Sequence, residues 1–69
     1  MKHLTLAEST YNQIADGVND GLKVWHLRKN TIRRLGITSR GFLVGSLFDV
    51  HGDFLYDVVI SCKKKNNPA

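Results

Sequence analysis

The chain has 69 residues, a formal charge of +4 and an apolar fraction of 42%, enough for one small domain with a core that is marginal on its own and too apolar for a wholly disordered chain. No apolar run approaches the ~20 residues that span a bilayer, and residues 1–6 lack the apolar middle of a secretory signal, so a soluble, cytoplasmic protein is expected. The lone Cys62 excludes an intramolecular disulfide and a multi-cysteine zinc site; at an alternating strand position it reads as a small apolar group.

Thr5 and Glu8 have the spacing of a capping box, in which hydroxyl and carboxylate satisfy backbone donors at a helix start. A first helix is therefore expected from Leu6. At 100° per residue Ala7, Tyr11, Ile14, Ala15 and Val18 share one face. Asn19, Asp20 and Gly21 suit a left-handed stop followed by a new N-cap.

The next stretch holds the strongest clue to a partner. Between Asp20 and Asp49 there is no acidic residue, whereas Lys23, Arg28, Lys29, Arg33, Arg34 and Arg40 are all cationic. Projected as a helix over residues 21–35, Val24, Trp25, Leu27, Thr31, Ile32 and Leu35 fall on one side. Lys23, His26, Lys29, Asn30, Arg33 and Arg34 fall on the other, with Leu22 and Arg28 as exceptions. Gly36 suits the position just past the helix end. This spacing predicts a second helix with segregated apolar and cationic faces.

After the polar link Thr38 to Gly41 the apolar period changes to two, with Phe42, Val44, Phe48 and Val50 on one face of a first strand, interrupted only by Ser46, and Phe54, Tyr56, Val58, Ile60 and Cys62 on one face of a second. A loop of His51, Gly52 and Asp53 would pair Val50 with Phe54 and Phe48 with Tyr56, although the position of Gly52 also suits a bulge or a longer loop. The reverse face would expose Leu43, Leu47, Leu55 and Val59, a candidate dimer or partner surface. Trp25, Ile32, Phe48 and Tyr56 are the expected core. The fold class expected is thus α+β in the order α-α-β-β, with one domain over residues 1–62 and a flexible lysine-rich tail over 63–69.

Two resemblances point to DNA. A helix, a short turn, a basic helix and a hairpin resemble the layout of helix-turn-helix and winged-helix proteins, with Ile14, Ala15, Val18 and Trp25 at matching positions and Asn19 at the turn, while Asp20 and Arg28 depart from the pattern and a third helix is missing. Ile32 to Ile37 followed by two strands is similar to the core of the swapped-hairpin transition-state regulators related to AbrB, without the proline usual there and with a helix where that family has a strand. Both imply a dimeric DNA-binding regulator of bacterial or phage type. The candidate nucleic-acid contacts are Lys23, His26, Lys29, Asn30, Arg33, Arg34, Arg40, Lys63, Lys64 and Lys65, the cations for phosphates and Asn30, His26 and the arginines for base edges.

The alternative is a small inhibitor or adaptor that offers its basic or apolar face to another protein. His3, His26 and His51 have no short ligand spacing, and neither a nucleophile elbow nor a phosphate-cradling glycine loop is present. No metal, cofactor or enzymatic activity is expected.

Overall fold

The computed structural model of the chain describes residues 1–63. Its elements are β1 (Lys2–Leu6), α1 (Glu8–Asn19), β2 (Val24–Leu27), β3 (Asn30–Ile37), β4 (Leu43–Phe48) and β5 (Phe54–Cys62). The five strands form one sheet in the order β1-β5-β4-β3-β2. β1 lies parallel to β5, and every other pair is antiparallel. A single helix on a five-stranded mixed sheet replaces the expected α-α-β-β order. The second helix does not form: residues 21–35 belong to a turn and to the β2–β3 hairpin, which also removes the basis of the helix-turn-helix resemblance.

The first helix forms near its expected place, but without the capping box. Thr5 is in β1, and Ala7 stands at the N-cap with no side-chain hydrogen bond. The end of α1 follows from its sequence. Gly21 adopts φ +98°, its N–H donates to Val18 O at 3.0 Å, and the N–H of Leu22 reaches back to Gly17 O at 2.7 Å. These two bonds satisfy the last carbonyls of the helix in the Schellman pattern. Leu22 then packs over Gly17, where an added Cβ would lie 2.7 Å from the leucine side chain.

Twelve residues of helix measure about 18 Å, close to the roughly 19 Å spanned by four inter-strand gaps. The helix can therefore carry the chain from β1 at one edge of the sheet to β2 at the other while covering one face. Ile14 is wholly buried there with Leu6, Ile32, Leu35, Leu43, Leu47, Val58 and Ile60. Each such aliphatic side chain contributes on the order of 1.5–3 kcal/mol when fully buried. Tyr11, Ala15 and Val18 of α1, with Trp25 and Tyr56 of the sheet, pack around this core.

The helical spacing of residues 24–35 has a different origin. Arg28 and Lys29 make the two-residue β2–β3 connection, with Arg28 at φ +54°. Further on, the β3–β4 register shifts between Arg33 and Gly36, with Arg34 at φ +58°. The extra residue is a β-bulge, and it resets the alternation of side chains. Ile32 and Leu35, three apart, consequently both enter the core, a spacing that a helix would also produce. Gly36 is an ordinary strand residue of β3.

Opposite the bulge, Gly45 permits close approach of the two strands. A Cβ there would stand 2.5 Å from Ile32 Cγ2, 3.2 Å from the Arg33 carbonyl oxygen and 3.4 Å from Leu35 Cδ2.

The β4–β5 pair is one residue out of the expected register. Leu47 pairs with Tyr56 and Leu43 with Ile60, and a second irregularity lets Phe48 pair with Phe54. The connecting loop spans residues 49–53, with Gly52 at φ +84°. Asp49 organises it by accepting the N–H groups of His51 and Asp53 at 2.9 Å each on one carboxylate oxygen. A one-residue slip exchanges the two faces of a strand. Leu43 and Leu47 are therefore in the core at 1% and 3% exposure, whereas Phe48, expected in the core, faces away from it.

Candidate nucleic-acid interface

The face of the sheet remote from α1 is uncovered among the described residues, and register defines what it presents. One row across it is His26, Thr31, Phe48 and Phe54; the next is Val24, Arg33, Ser46 and Asp57; a third holds Val44, Val59 and His3. Side-chain geometry confirms the rows. His26 Nδ1 and Thr31 Oγ1 are hydrogen-bonded at 3.3 Å, and the Ser46 hydroxyl donates to Asp57 Oδ1 at 2.8 Å. His3 and Ser61 are joined through Nε2 and Oγ.

Two phenyl rings stand at one end of this face. Phe48 and Phe54 meet edge to face, with centroids 5.7 Å apart and planes at 71°, the arrangement favoured by the ring quadrupoles. Phe48 is half-buried; Phe54 is 55% exposed. The Arg33 guanidinium lies 5.8 Å from the Phe48 centroid, within cation–π range. Arg28 and Lys29, both exposed, turn the chain just beyond Thr31, the register partner of Phe48. Strand spacing puts their Cα atoms within about 8–10 Å of that of Phe48.

The sequence-derived contacts are thus partly gathered. Lys23, His26, Lys29, Asn30, Arg33 and Arg34 all lie on the β2–β3 hairpin or at its entrance, and the four cations among them are exposed. Arg40 is in the loop between β3 and β4, and Lys63 follows β5, its N–H donating to Leu6 O at 2.7 Å. Lys64 and Lys65, with the rest of the expected tail, lie outside the described residues. Arg28, left out as an exception to the helical pattern, is at the hairpin tip beside Lys29.

The Leu43, Leu47, Leu55 and Val59 surface does not exist as a unit. The first two are buried, while Leu55 and Val59 are on the uncovered side of β5. The alternation of residues 42–62 places Phe48 and Phe54 in the core, whereas the observed register puts both on the uncovered face; the two-residue step on β5 opposite Phe48 leaves no mark in the apolar pattern.

Among the described residues there is no pocket and no group of three His, Cys, Asp or Glu side chains placed to hold a metal ion. No helix among the described residues is long and apolar enough to cross a membrane. Compared with known proteins, the chain gives no significant match to any family model, curated protein or solved structure.

Proposed function

We infer that this chain is a small nucleic-acid-binding regulator of the cytoplasm that holds a phosphate backbone with the cations of its β2–β3 hairpin. The observation that carries the reading is the folding of the acid-free window. Lys23, Arg28, Lys29, Arg33 and Arg34 are brought onto one antiparallel ribbon at the edge of the sheet, with no carboxylate in that ribbon. Cations so concentrated attract an anionic polymer and release its counterions on binding. A recognition helix is replaced by a ribbon, an element that also reads nucleic acid.

Fluorescence anisotropy of labelled oligonucleotides between 25 and 200 mM salt tests the reading. About four phosphate contacts give a log K against log salt slope of roughly −3, and Lys29→Ala together with Arg33→Ala reduces it by about two units. Absence of binding to DNA and RNA at the lowest salt, or a slope unchanged by the two substitutions, refutes it.

A second reading, a protein-interaction module, is favoured by the apolar groups left exposed beside the loop after β4, namely Val50, Phe54 and Leu55. Under that reading the chain retains a partner or a second copy of itself after nuclease treatment, and polar substitution of Leu55 abolishes the complex while neutralising Lys29 and Arg33 does not.

A further inference from the structure

We propose that the preferred ligand is a single strand whose unpaired bases stack on the Phe48–Phe54 shelf while the β2–β3 hairpin holds its phosphates. The proposal rests on the nucleic-acid reading above and specifies what that reading leaves open, the strandedness of the ligand and the surface that receives its bases. A duplex hides its base faces in the stack, so exposed phenyl rings add nothing to its binding; a single strand offers a π-face at every base.

The placement of charge around the rings suits a single strand. Phe54, the outer ring, is over half exposed and held at a fixed angle by Phe48. Arg33 is over the inner ring, and Lys29 follows at the hairpin tip, so these two cations flank the aromatic surface on its β3 side. On the opposite side, Asp57 on β5 faces the same surface in the adjoining row, fixed by the Ser46 hydroxyl at 2.8 Å. Positive charge on one flank and a carboxylate on the other give a strand a preferred lie, with the phosphates along β3 and the bases directed across Phe48 toward Phe54. A carboxylate in that place repels phosphate and accepts hydrogen bonds from exocyclic amino groups of bases.

The test compares fluorescein-labelled dT12 with a 12-base-pair mixed-sequence duplex on the full chain, its Phe54→Leu and Phe54→Trp variants, and a Lys29→Ala/Arg33→Ala variant. Leucine preserves apolar area at an exposed position and removes the π-face, so it separates stacking from general hydrophobic contact. The expected result is dT12 bound at least about tenfold more tightly than duplex, weakened about 5- to 100-fold by Phe54→Leu, retained by Phe54→Trp, and duplex binding unchanged by either. Equal affinity for both ligands with no effect of Phe54→Leu, while Lys29→Ala/Arg33→Ala weakens both, overturns the shelf and leaves the cationic hairpin in place. No binding of either ligand at low salt overturns both.

Discussion

Substituting Gly45 by alanine isolates the close contact between β4 and β3. The added methyl would stand 2.5 Å from Ile32 Cγ2 and 3.2 Å from the Arg33 carbonyl oxygen. Neither can yield cheaply: Ile32 is wholly buried with a branched β-carbon, and the carbonyl belongs to the paired strand β3. Overpacking of this kind costs about 1–3 kcal/mol. For a domain of this size 1 kcal/mol moves the melting temperature by about 4–8 °C, so Gly45→Ala should lower Tm by roughly 8–16 °C if the cost is about 2 kcal/mol.

Ile32→Leu removes the γ2 methyl at nearly constant volume, and alone it should cost less than about 1.5 kcal/mol. The double variant should therefore be more stable than the sum of the single effects by about 1 kcal/mol. Urea unfolding followed by tryptophan fluorescence measures all four species, Trp25 being packed against this core. In the alternative register, with even-numbered residues of β4 inward, Gly45 faces outward and alanine is neutral or favourable. A loss below about 0.5 kcal/mol, or strict additivity with Ile32→Leu, would refute the close packing.

Two further substitutions probe the local devices of the fold. Arg34→Gly relieves the positive φ of the bulge and should leave stability unchanged or raise it by up to about 1 kcal/mol in thermal melts, whereas in a helix the same change costs about 1 kcal/mol; a destabilisation of that size would contradict the bulge. Asp49→Ala removes the acceptor of two loop N–H bonds and should cost about 1–2 kcal/mol, with hydrogen exchange quickened at His51 and Asp53; unaltered exchange at both amides would show that the carboxylate does not organise the loop.

What was legible in the sequence depended on whether a pattern had one physical cause. The inward face of α1 could be read because Tyr11, Ile14, Ala15 and Val18 have no competing explanation in a strand. Its stop could be read because Gly21 is free to adopt positive φ. The β2–β3 hairpin is hidden in the sequence because a two-residue turn and a bulge reset the alternation twice within residues 24–35, so that Trp25, Ile32 and Leu35 imitate helical spacing. Two arginines, Arg28 and Arg34, occupy the left-handed positions where glycine or asparagine would have signalled a turn.

On and just before β4 the even positions, Phe42, Val44 and Phe48, look more apolar than Leu43, Gly45 and Leu47, and the closeness of the strands that requires glycine at 45 is a tertiary fact. β1 leaves little trace in the sequence because only Leu4 and Leu6 mark its inward side, and its strand conformation depends on β5, more than fifty residues away. The window's charge was evident from composition, but the rings beside it emerged only once strands distant in sequence were paired.

The most direct measurement of the central claim is a titration of 15N-labelled full chain with dT12, followed by amide chemical shifts. Saturable changes are expected, centred on residues 28–33, Phe48 and Phe54, with the exposed face of α1 unmoved. Changes confined to α1 or β1, or none at low salt, would contradict it.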